Sequence, residues 1–197
     1  MAAPGDFWRW FCANERQLKD RGHPRREALA DELLERLQQV SEQLWFELGL
    51  MKDGSGHLIV TAEGNTGAFA DVVALVDAAP AIEGWEITAF KPPRGFGFVL
   101  NRSGIAIDPR QARFVALEDP DDPGFFGIEV GFPHYDPARE DDFLDATYTM
   151  LEVGLGELAL AEHVHHLQVG ALPDDPESSG YLPMERLARL LPGRVTH

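Results

Sequence analysis

Along this chain the hydrophobic period alternates between about 3.6 residues and 2, and the order of those changes constrains the fold more than any other feature. In "RGHPRREALADELLERLQQV", Pro24 stands near a helix start, and Leu29, Leu33, Leu37 and Val40 follow at helical spacing. Glu32 and Arg36, four apart, pair on the outer face. From Leu44 the alternation becomes strict: Leu44, Phe46, Leu48 and Leu50 line one side of a strand, "MKDGSG" turns the chain, and "HLIVTA" returns it. Thr66 is expected to cap a helix with Phe69, Val72, Val73 and Val76 inside. Pro80 closes that segment, and "WEITAF" puts Trp85, Ile87 and Ala89 on one face of a third strand.

The same order then returns. "RFVALE" (113–118) and "GIEVGF" (127–132) flank an acidic turn. Asp136 and Pro137 open a helix with Phe143, Leu144, Thr147 and Leu151 on one face, and "EHVHHLQVGAL" reads as its closing strand. The expectation is an α+β protein of two fused strand-strand-helix-strand units in antiparallel or mixed sheet, with N-terminal helices and a C-terminal helix. The segments are a helical 1–43, a first unit 44–92, a connection 93–112, a second unit 113–172, and a loop and helix 173–197, together one compact domain. In the terminal helix, "YLPMERLARLLPGR", Leu187, Leu190 and Leu191 are expected to pack back on the body.

At the N-terminus, Asp6 is expected to cap a helix in which Phe7, Trp10, Phe11 and Leu18 share a buried face. Cys12, the single cysteine, sits among these aromatics and reads as a semi-buried structural thiol. No run approaches the roughly 18–20 apolar residues that span a bilayer, and "MAAPGDFWRW" lacks the pattern of a secretory leader. A cytoplasmic location follows, with no membrane association.

Charge narrows the partners. With 33 acidic against 17 basic residues, the net charge of −16 repels phosphate backbones and favours a basic protein partner. Against this stands "RGFGFVLN" (94–101), whose Arg94, Phe96 and Phe98 match the aromatic strand of an RNA-recognition fold. Ile59 occupies the aromatic position of its partner strand, Asn101 replaces the last aromatic, and no helix pattern follows, so nucleic acid is disfavoured and a packed strand expected. His163 and His165 project together if "EHVHH" is a strand, and His134 is placed to approach from its neighbour, a metal reading that stops short of a full zinc set. Two acidic clusters, Asp119, Asp121, Asp122 and Glu140, Asp141, Asp142, offer a surface that steers a basic protein. Asp142, Glu152 and Glu157 serve an active site only if folding gathers them in a cleft.

Residues 143–191 carry a helix, an "LGE" turn, a strand ending in an "LP" loop and then L-P-x-x-x-L, and with "FWRWF" and "AAPAIEGWEITAFKPP" this resembles uncharacterised bacterial acidic proteins of immunity or regulator type with ferredoxin-like ββαβ units. The resemblance implies a binding role and carries over no site residues. The functional expectation is a non-enzymatic binding or regulatory protein of the bacterial cytoplasm that needs no cofactor. An RNA-binding module and a metal-dependent enzyme are the alternatives, and the terminal strands leave a homo-oligomer through a sheet edge open.

Overall fold

Helix α1 (Pro4–Lys19) starts with proline in its first turn, where a missing amide costs nothing, so it begins two residues before Asp6, which instead pairs with Arg9 at 3.0 Å. In the computed structural model, residues 3–119 and 121–191 are described, and the chain divides into two units, Met1–Lys91 and Pro92–His197. The protein is α+β, with mixed sheets and helices packed on them. Among the described residues no helix is long and apolar enough to cross a membrane.

In the first unit, α1 buries Phe7, Trp8, Phe11 and Leu18. Trp8 replaces Trp10 in the expected stripe because its indole N–H donates to the Leu75 carbonyl at 2.8 Å, which satisfies the one polar atom that burial would strand. Trp10 stays half-buried under the Arg36 guanidinium, 5.1 Å from the ring centroid. Cys12 is exposed, not semi-buried, since the helix turns it away from that stripe. Helix α2 (Arg26–Val40) buries the four expected residues, and Arg36 meets Glu32 at 2.8 Å.

Strands β1 (Trp45–Leu50) and β2 (Gly56–Thr61) form an antiparallel hairpin, and β3 (Trp85–Ala89) adds parallel to β2 after helix α3 (Phe69–Asp77). Asn65 caps this turn by accepting from the Gly67 amide at 3.1 Å, which displaces Thr66 into a short 3-10 turn. On this helix Val72 and Leu75 are buried, and Val73, expected inside, is 42% exposed because it lies about 100° round the helix from Val72. One sheet face shares a single core with all three helices of the unit.

The second unit repeats the framework residue by residue in its pairing. Strands β6 (Arg113–Asp119) and β7 (Asp122–Phe132) are antiparallel, and β8 (His166–Ala171) lies parallel to β7. Across the first sheet run the rows Phe46–Val60–Ala89 and Leu48–Leu58–Ile87. Across the second run Phe114–Val130–Val169 and Ala116–Ile128–Leu167, in the same order and pairing. Asp136 repeats the role of Asn65, accepting from the Ala138 amide at 2.9 Å ahead of a 3-10 turn and helix α4 (Glu140–Leu155). The three-stranded sheet lies in the first unit, and the second unit holds a four-stranded sheet and a separate two-stranded one.

Three parts of the second unit differ from expectation. "EHVHHLQVGAL" is not one strand: helix α5 (Glu157–His163) runs through its start and β8 begins at His166. "RGFGFVLN" is not a strand either until Leu100, where β4 (Leu100–Arg102) meets β5 (Ile105–Ile107) through Ser103 and Gly104. Both turn residues have positive φ, 51° and 70°, the two-residue geometry that suits the twist of a hairpin. The C-terminal segment forms a two-residue strand β9 (Leu182–Pro183) on β6 and a short helix α6 (Leu187–Leu190). Leu187 and Leu191 are buried and Leu190 is 45% exposed, while 192–194 of the expected helix lie outside the described residues.

Tyr181, just before β9, donates its phenolic proton to Glu129 Oε1 on β7. Burial, then this bond and the Glu129 charge, push its pKa up to about 12 from 10.0. A raised acid pKa favours the native state fully below the unfolded value and loses that contribution as pH climbs through the native one, so the tether weakens between pH 10 and about 12. Phenolate absorbance should show a step near pH 12 that is missing in Tyr181→Phe. A Tyr181 titrating at its ordinary value would refute the tether.

Candidate functional site

A cleft of about 370 Å³ opens in the second unit between the β4–β5 hairpin and the junction of β7 with α4. Alternation builds its floor: Ile105 and Ile107 on β5 turn into the core beside Ala112, Phe132 and Phe143, so the base is apolar. Asp108, Gln111, His134, Asp136 and Arg139 form its polar margin. This mix of apolar floor and a few convergent polar groups is the usual composition of a ligand site.

The hairpin wall is pinned to α4. Arg102 makes two bonds to Asp145, at 2.8 and 3.2 Å, and Ser103 Oγ donates to the same carboxylate at 2.6 Å. These bonds hold the Asp145 carboxyl below its ordinary pKa. From the other side Arg139 Nη2 donates to the Ser103 carbonyl at 2.9 Å while its Nε and Nη2 both reach Asp142 at 2.9 Å. Arg110 closes a two-point pair on Asp108 at 2.8 Å for each bond, and its hydrogen bonds keep that carboxyl low as well.

Both arginines near the margin therefore face a carboxylate partner, and the remaining charge is negative. Asp136 lines the cleft, and Glu140 and Asp141 stand exposed in the adjoining first turn of α4. The field is felt nearby: burial first, then the charges of Glu140 and Asp136, raise the pKa of the Tyr135 phenol. Carboxylates at a helix start also offset the positive end of the helix dipole, which explains why three of them gather there.

The cleft lining carries Asp108, His134, Asp136 and Arg139 as its charged or titratable side chains. What it can do is exclude water around an apolar stem and face a positive charge.

The residues singled out from sequence scatter. Phe96 is 4% exposed and Phe98 half-buried, both packed in the core, so Phe96 has no face to offer a nucleobase; the backbone amide of Arg94 donates to Val153 at 2.8 Å. Arg94 itself is exposed. Among the three histidines, only His134 lines the cleft. His163 ends α5, and His165 precedes β8 with its Nδ1 accepting from the Phe126 amide at 3.1 Å, so they do not share a strand face. From Phe126 to Phe132 the strand advances roughly 20 Å, which separates His165 from His134. Among the described residues no group of three or more His, Cys, Asp or Glu is placed to hold a metal ion.

The two acidic clusters occupy opposite ends of β7, whose 11 residues span roughly 33 Å. Asp121 and Asp122 are exposed at its start, whereas the side chain of Asp119 lies outside the described residues. Beyond its far end, Glu140 and Asp141 are exposed and Asp142 is engaged by Arg139. Glu152 and Glu157 do not line the cleft.

Sequence reasoning missed Ile105, Ala106, Ile107, Asp108, Gln111 and Arg139. The signal was present in "RSGIAID", where a Ser-Gly turn precedes an alternating Ile-Ala-Ile. Compared with known proteins, the chain matches no family model, no curated protein and no solved structure.

Proposed function

We propose that this is a non-enzymatic protein-binding module whose second-unit cleft receives a basic side chain of a partner protein. The observation that carries the reading is the apolar floor of Ile105, Ile107, Phe132 and Phe143 beneath a margin where Arg110 and Arg139 each face a carboxylate. A lysine or arginine suits both parts, since its methylene stem covers apolar surface while its charged head stays at the acidic margin. The chain's net charge of −16 adds long-range attraction for such a partner and speeds encounter. A regulatory role in the bacterial cytoplasm fits this chemistry, and a reducing compartment would keep the exposed Cys12 as a thiol.

The test places a photo-crosslinking residue at Gln111 in the cleft or at Lys52 in the β1–β2 turn of the first unit, and identifies what each captures from nuclease-treated lysate. The expected result is one protein captured from Gln111 and not from Lys52. Reversing Asp136, Glu140 and Asp141 to Lys together should weaken its binding about tenfold or more, with a strong dependence on salt. Equal capture from both positions, or binding unchanged by charge reversal, would refute the reading.

A further inference from the structure

The binding mode can be taken further, on the premise that the cleft is the protein-binding site. Five consecutive residues, Gly104 to Asp108, line it. Side chains of successive strand residues point to opposite faces, so an unbroken run of lining residues means that the cleft follows the edge of β5, not one of its faces.

The hairpin geometry fixes which backbone groups point there. Pairing is Arg102 with Ile105, Asn101 with Ala106 and Leu100 with Ile107. A two-residue turn with both φ values positive makes the flanking Arg102–Ile105 the pair that exchanges both hydrogen bonds. Bonded and non-bonded pairs alternate, so Asn101–Ala106 is a non-bonded pair. Ala106 therefore turns its N–H and C=O away from β4, toward the outer edge, and the residue is exposed and lines the cleft.

We infer that the partner enters as an extended segment that adds to β5 as a third strand, exchanging backbone hydrogen bonds with Ala106 while a Lys or Arg of that segment lies over the Ile105–Ile107–Phe143 floor toward Asp136. Backbone pairing supplies affinity in this mode and alternate side chains supply selectivity. Charge complementarity selects the occupant: a basic segment meets the acidic margin, and an acidic or neutral one does not. The volume of about 370 Å³ suits one long side chain with the adjoining backbone, not a folded domain.

The experiment selects short random peptides by display on the full-length protein and measures the best binder against three proteins: wild type, Ala106→Pro, and the variant with Asp136, Glu140 and Asp141 all changed to Lys. Proline at 106 deletes the outward amide without removing a bond to β4, and proline is tolerated on edge strands. Enriched peptides should carry Lys or Arg among β-branched residues and bind about tenfold or more weakly to each variant. The melting temperature of Ala106→Pro should stay near wild type. If it falls, peptides N-methylated at single backbone amides take its place, with alternate positions expected to lose binding. Hydrogen exchange at the Ala106 amide should slow when peptide is bound. Basic peptides that bind Ala106→Pro normally but lose affinity for the charge-reversed variant overturn strand addition and leave the cleft reading standing. Neutral or acidic consensus peptides, or no enrichment, overturn both.

Discussion

Phe96→Ala is expected to destabilise the second unit by about 3–5 kcal/mol, the range for removing a buried phenyl ring. The ring is 4% exposed and lies against Gly154 of α4, where a Cβ would sit 2.2 Å from its Cε1 atom. That contact explains a glycine in the last turn of this helix, whose helix propensity is at most about 1 kcal/mol below that of alanine. Gly154→Ala should then cost about 1–3 kcal/mol by overpacking, against which the propensity gain is the smaller term. In the double variant the new methyl enters space the ring has left, so its loss should fall short of the sum by about 1 kcal/mol. Urea unfolding with unchanged m-values measures all three. A Phe96→Ala protein of wild-type stability with reduced RNA affinity would return the motif to nucleic-acid recognition.

The largest expected effect in the first unit belongs to Phe11→Ala, again about 3–5 kcal/mol. Phe11 is fully buried and meets three rings, with centroid distances of 4.9 Å to Trp85, 5.6 Å to Trp8 and 6.4 Å to Phe7. The first two contacts are edge-on, the arrangement that aromatic quadrupoles favour. Trp85 is fixed independently, by the bond from its Nε1 to Glu15 at 2.7 Å and by Gly56, where a Cβ would lie 2.6 Å from the indole. It therefore cannot move far to fill the void, and the cost should sit toward the upper end of the range. Tryptophan fluorescence should shift red, because Trp8 and Trp85 gain access to water. Loss below about 1 kcal/mol would mean that the cluster repacks freely.

Periodicity made the strand-helix framework legible because it acts within an element: Leu29, Leu33, Leu37 and Val40 fall where their spacing puts them. Local rules failed where a distant partner decided the outcome. Trp8 rather than Trp10 is buried because Leu75 offers an acceptor 67 residues away. Leu75 itself is buried with Val72 in the core of that unit, where packing and not local sequence chose the helix face. The cleft was hidden for a similar reason. Its floor joins β5, the end of β7 and the start of α4, and its charge balance depends on which carboxylate each arginine finds. Composition counted those charges but had no means of pairing them. The acidic clusters, close together in sequence, were separated by the length of one strand.

Every strand pairing in the first unit closes within Trp45–Ala89, and the helices that cover its sheet precede or interrupt it in sequence. Its core is therefore complete before the 106 residues from Pro92 to His197 have been synthesised. At roughly 5–20 residues per second, those residues take on the order of 5–20 s to appear, whereas mixed α/β domains of this size fold in well under that time. The emerging chain thus has one finished half while the other is being made. The hairpin-walled half forms after it, when the strands of the first half have already paired with one another, which limits the exposed β-edge available for aggregation.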